Sequence, residues 1–171
     1  LDHAVVDTNV LAVAEGLNEG ASSDCEAACV RLAGQIASGD VILVVDSAIT
    51  GEKVFGEYLE RLAQSPRDGI GKKLAVTLYH RRFDQSVCQI VDATPCEDDP
   101  RTDFEEVPDA LRDFDRDDHK WIALARAAPQ HTPVYQALDG EWWARRSDLL
   151  REGVEVQFLC ASDLIDRFKE S

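Results

Sequence analysis

Short uninterrupted apolar runs alternate along the chain with longer stretches in which apolar residues recur every three or four positions. Five runs read as strands: the apolar start of AVVDTNVL at residues 4–11, VILVV at 41–45, VCQIV at 87–91, PVYQAL at 133–138 and VEVQFL at 154–159. The β-branched VILVV run suits a parallel strand covered on both faces. Between them, residues 9–16 predict a short helix ended by Gly16. Cys25, Ala28, Cys29, Leu32 and Ile36 form one buried helical stripe, stopped by Gly39 and Asp40. Ser47 offers an N-cap for a helix lined by Phe55, Tyr58, Leu59 and Leu62 and ended before Ser65-Pro66. Ile70, Leu74 and Leu78 mark another. Residues 92–114, with prolines at 95, 100 and 108, predict a long loop with at most one helical turn after Pro108. Asp115 or Asp117 can cap a helix with Trp121, Ile122, Leu124 and Ala125 on its apolar face, which puts Asp118 in the first turn. Residues 141–151 predict one helix, with Trp142 and Trp143 as packing residues, and residues 161–168 a last one. Strands alternating with helices imply βαβ units, a parallel sheet and right-handed crossovers.

Length turns this pattern into one domain, residues 1–171, large enough to bury a core. No apolar run approaches bilayer-spanning length and no basic-then-apolar leader opens the chain, so a soluble cytoplasmic protein is expected. There is no Met, so residues preceding Leu1 are expected too. The five cysteines form no CxxC, and an odd count without a leader argues against a disulfide framework. Cys25 and Cys29 share a helix face; a metal pair is one reading, buried small apolar residues the favoured one, and no cysteine receives a role.

The net charge of −15 argues against phosphate contacts in general, but its distribution is uneven. Residues 97–118 hold eleven acids against three arginines, whereas residues 61–82 hold six Lys and Arg against Asp68 alone. The basic stretch includes Lys72, Lys73, Arg81 and Arg82, which offer contacts to an RNA backbone or, more plainly, a solvated helix face.

Asp7 stands where the first strand gives way to a helix, which makes it either a helix cap or a site residue at a strand's carboxyl end. Three further acids stand out by context: Glu57 at the edge of a helical apolar stripe, Asp118 at a helix start and Asp139 after the fourth strand. Carboxylates gathered together repel unless a cation neutralises them. Acids without His or Cys partners suit Mg²⁺ or Mn²⁺, the ions of phosphoryl chemistry.

The order of these motifs resembles that of the PIN-domain nucleases, over essentially the whole chain. The matching text is VVDTNVL, GEYLERL, Asp118 with Ala123 in DHKWIALA, and Asp139 in ALDGEW. The resemblance implies a three-layer α/β/α sandwich with a five-stranded parallel sheet ordered 3-2-1-4-5. It implies cleavage of single-stranded RNA with Mg²⁺ or Mn²⁺, often by toxins held by an antitoxin protein, and homodimers are common. Carried onto this sequence, Asp7, Asp118 and Asp139 would ligate metal and Glu57 would orient a metal-bound water, with Thr8 and Asn9 in support. Asp117 is an alternative to Asp118, and Glu141 an auxiliary acid or a solvated charge. The chain departs from the pattern at Ala137, where many relatives carry Ser or Thr, and in its long acidic loop. A catalytically weak or inactive PIN-like module that binds a protein or RNA partner is therefore the alternative. An aspartyl phosphatase using Asp7 is disfavoured because Asn9 stands where a second Asp is needed. His119 is read as a surface or packing residue.

Overall fold

The computed structural model describes residues 2–47 and 53–169. Its five strands, β1 (Asp2–Val6), β2 (Val41–Asp46), β3 (Cys88–Val91), β4 (Val134–Gln136) and β5 (Val156–Phe158), form one all-parallel sheet in the order β3-β2-β1-β4-β5. The parallel α/β sheet predicted from the alternating pattern is therefore present, in the strand order that the family resemblance implies, with β1 at the centre of the sheet. Ala4, Val5 and Val6 and all of Val41 to Val45 are buried, as a strand covered on both faces requires. β1 and β4 are neighbours, Val5 pairing with Val134 and Val6 with Tyr135, and the sheet order reverses there.

Helices α1 (Thr8–Ala14), α2 (Ser23–Ser38), α3 (Lys53–Leu62) and α4 (Ile70–His80) pack against one another, while α5 (His119–Ala127) lies against β1, β2 and β4. The apolar stripe of α2 is buried as predicted, and Gly39 ends the helix in the left-handed region at φ 80°. The carboxylate of Asp46 accepts hydrogen bonds from the backbone N–H groups of Lys53 (2.6 Å) and Val54 (2.9 Å), fixing the start of α3. The cap expected from Ser47 would act on residues 48–52, which lie outside the described residues. Glycine is required at Gly71, where a Cβ would stand 2.4 Å from the Leu11 carbonyl oxygen, so α1 and α4 pack backbone to backbone.

The helix expected over residues 141–151 is two: α6 (Gly140–Ala144) and α7 (Arg146–Arg151), broken at Arg145. At that joint the Arg145 guanidinium holds Asp113, Asp148 and the Ala110 carbonyl, a set of partners scattered in sequence that no helical period reveals. The final helix is α8 (Ala161–Phe168).

The segment from 92 to 114 is irregular, with a single 3₁₀ turn at Asp109–Leu111 following Pro108. It is nevertheless well anchored. Val107, Leu111 and Phe114 are buried, and Arg101 and Arg112 both bind Asp99. Arg116 binds Asp103. Fully buried His119 joins the segment to α5, its ring nitrogens 3.0 Å from the Thr102 hydroxyl and 3.1 Å from the Phe114 carbonyl. His119 is thus a packing residue, and burial holds its pKa down so that it stays neutral.

The cysteine reading requires correction. Cys25 and Cys160 form a disulfide across 135 residues, tying the start of α8 to α2. An odd count hid this pair, because only the tertiary fold brings a residue after β5 against the second helix. Among the described residues, no helix is long and apolar enough to cross a membrane.

Candidate functional site

Asp7 both caps a helix and lines a site. One carboxylate oxygen accepts the Asn9 backbone N–H at 2.9 Å, capping α1, and the other accepts the Gln136 side-chain amide at 2.7 Å. Its backbone N–H donates to the Tyr135 carbonyl at 3.1 Å, so Asp7 is fixed to β4 as well as β1. Asn9 completes the connection by donating its amide to Gln136 Oε1 (2.7 Å) and accepting the Ala137 N–H (3.0 Å). These bonds hold the carboxyl end of β1 to the end of β4.

Asp118 occupies the N-cap position of α5, but its carboxylate bonds no backbone N–H of that helix. It accepts the Trp142 indole N–H instead, at 3.0 Å. Asp139 caps α6 through the backbone N–H groups of Glu141 (2.8 Å) and Trp142 (3.1 Å). Trp142 therefore positions two of the acids, one through its ring and one through its backbone. Glu57, on α3, accepts the Thr8 hydroxyl at 2.5 Å and forms an ion pair with Lys120 of α5. Lys120 Nζ also donates to the Asp117 carbonyl.

These elements bring Asp7, Glu57, Asp118 and Asp139 to one pocket of about 250 Å³, shared with Thr8, Asn9, Ala12, Asn18 and Arg61. Burial pushes the Asp7 pKa up to about 7 against the lowering effect of its hydrogen bonds, with Asp118 and Glu57 adding repulsion. Burial likewise pushes Asp118 up to about 7, with Asp139 adding repulsion and Lys120 opposing it. Such a pocket disfavours its own negative charge and gains from a cation. The carboxylates do not close into a compact cage: among the described residues, the only His, Cys, Asp or Glu set with three ligand atoms mutually within 4.8 Å is Cys25, Cys29 and Cys160. Fewer than three of the pocket's carboxylates approach one another that closely, so an ion held there would take the rest of its shell from water, as Mg²⁺ commonly does.

The other candidates fall in different places. Asp118, not Asp117, lines the acid pocket; Asp117 lines a neighbouring groove with Lys53, Glu60, Asp103 and Lys120. Glu57 borders both. Glu141 lies outside the pocket lining, and its carboxylate accepts the Asp115 N–H at 3.4 Å. Lys72 pairs with Asp68 and Arg81 with Asp84. Arg82 donates to the Tyr79 carbonyl and lies over that ring, while Lys73 lines an apolar cleft between α2 and α4. None of these four cations lines the acid pocket.

Sequence reasoning passed over Arg61, Gln136, Lys120 and the bridging role of Trp142. Arg61 was within reach, since it follows Glu57 by four residues and shares its helix face. Gln136 had a weaker signal, an amide at a buried position of an apolar strand. Lys120 and Trp142 owe their contacts to the packing of separate segments. No family model, curated protein or solved structure matches the chain.

Proposed function

We propose that this chain is a PIN-like, metal-dependent endoribonuclease that hydrolyses phosphodiester bonds of single-stranded RNA with Mg²⁺ or Mn²⁺. The observation that carries the reading is the gathering of four acids from four separate segments into one pocket at the switch point of the sheet. Open parallel sheets bind ligands there. Asp7, Asp118 and Asp139 are the residues to hold the ion, which when bound would polarise the phosphate and lower the pKa of a water. Asn9, Gln136 and Trp142 keep these three carboxylates in place. Glu57, aimed by the Thr8 hydroxyl, is the residue to orient an attacking water, and Arg61 is the cation best placed to meet a phosphate. Asp7→Asn should lower Mg²⁺- or Mn²⁺-dependent cleavage of single-stranded RNA at least a hundredfold (roughly 3 kcal/mol). Equal cleavage by the variant and the parent would refute the assignment.

A second reading has its own support: a weakly active or inactive PIN-like module that binds RNA or a protein such as an antitoxin. Lys120 neutralises Glu57, and Ala137 brings no hydroxyl to the end of β4. Calorimetric titration separates the two. Heat of binding for Mg²⁺ or Mn²⁺ at millimolar concentration supports the nuclease, and its absence supports the module.

A further inference from the structure

We propose that Cys25, Cys29 and Cys160, once the disulfide is reduced, form a three-sulfur site for a soft, thiophilic metal cation, with Cu⁺ as its type. The three sulfurs lie within 4.8 Å of one another, and the residues are 2%, 0% and 2% exposed. Two of them are presented by consecutive turns of α2 and the third by the residue that precedes α8. Two of the sulfurs therefore sit on one helix and the third on the turn that leads into α8, and the disulfide is the oxidised, metal-free form of the cluster.

Several features favour a ligand over a plain cross-link. A cross-link needs two sulfurs, and Cys29 is a third one that keeps a free thiol in the same buried cluster. Cys25 is the third residue of α2 and Cys160 is the N-cap of α8, so two helix N-termini offer positive potential to sulfur anions. A thiophilic cation that binds there displaces the thiol protons. Among the described residues, no His, Asp or Glu joins the set. Three thiolates with no oxygen ligand exclude Mg²⁺, Mn²⁺ and Ca²⁺ and select soft ions.

The chemistry balances in two stages. An external dithiol gives two electrons and two protons to the Cys25–Cys160 bond, yielding two thiols and its own disulfide. The cation then forms its sulfur bonds as thiol protons leave to solvent, with no change in its oxidation state. Cys160 stays joined to α2 in both forms, by the sulfur–sulfur bond or through the metal.

The test uses the full chain, reduced with excess dithiol and desalted without oxygen. Cu⁺ is delivered from a competing chelator in one arm, and Cd²⁺ is used as a spectroscopic stand-in for Zn²⁺ in the other. The expected result in at least one arm is one equivalent bound, with a sulfur-to-metal charge-transfer band that acidic residues cannot produce. Cys29→Ala leaves the Cys25–Cys160 pair intact, so its oxidised form should keep the parent circular dichroism while its reduced form binds at least tenfold more weakly. Absence of stoichiometric binding in both arms would overturn the proposal, as would unchanged affinity in Cys29→Ala, which would mean a two-sulfur pair alone. Unfolding on reduction without recovery when either cation is added would overturn it too.

Discussion

Two of the pocket's four carboxylates, Asp7 and Asp118, carry a cost that can be measured directly. Asp118 has a folded-state pKa of about 7, raised mainly by burial, against an ordinary value of 3.8. Between those values the folded chain binds more protons than the unfolded one, so the contribution of this group to stability falls as pH rises. Asp118→Asn removes the ionisation while an amide oxygen can still accept the Trp142 indole N–H. The metal-free variant should therefore melt several degrees above the parent at pH 8 and match it near pH 4, with Mg²⁺ narrowing the gap at pH 8 by stabilising only the parent. A gap independent of pH would mean that the charge is not the cause. Tyr58 tests the neighbouring scaffold. Its buried hydroxyl donates to the Val6 carbonyl at the end of β1, and its ring stacks 6.1 Å from Trp121. Tyr58→Phe leaves that carbonyl without its side-chain partner, and denaturant unfolding should show a loss of about 1–3 kcal/mol.

At the scale of elements, the chain was legible wherever one stretch carries its own period. The stripe of α2 and the apolar run of β2 are local patterns, and both appear where the sequence puts them. The break between α6 and α7 and the attachment of α8 are not local. α8 is held by the disulfide, by two Asp163 hydrogen bonds to Ser22, and by Arg167 donating to the Gly20 carbonyl. Because Cys25 and Cys160 are 135 residues apart, their bond restricts the unfolded chain strongly. Reduction, without added metal, should cost about 4 kcal/mol in chemical denaturation. Hydrogen exchange should rise first in α8, whose remaining hydrogen bonds to Ser22 are exposed. Uniform loss of protection across the sheet would contradict that order.

For the whole molecule, the net charge of −15 is partly managed by local pairing. The acidic segment is knitted by Arg101, Arg112 and Arg116, and Arg145 reaches into it from the α6–α7 joint. The remaining excess repels itself in the compact state. Raising NaCl from about 10 to about 200 mM shortens the screening length from roughly 30 Å to below 10 Å, and the melting temperature should rise by a few degrees. A falling melting temperature would show that the ion pairs outweigh the repulsion.

By itself the sequence determined the succession of strands and helices, because hydrophobic periodicity is a property of neighbours along the chain. It also marked Asp7, Glu57, Asp118 and Asp139, each conspicuous as an acid beside an apolar pattern. Only the tertiary structure decided how those acids are held. Gln136 and Asn9 clamp Asp7 across β1 and β4, Trp142 spans Asp118 and Asp139, and Lys120 reaches from α5 to Glu57. It likewise decided the partner of Cys25. Apart from the local bond between Trp142 and Asp139, these contacts join residues 24 to 135 positions apart, through side-chain geometry that has no period, so they come into being with the packing of the sheet and its helices.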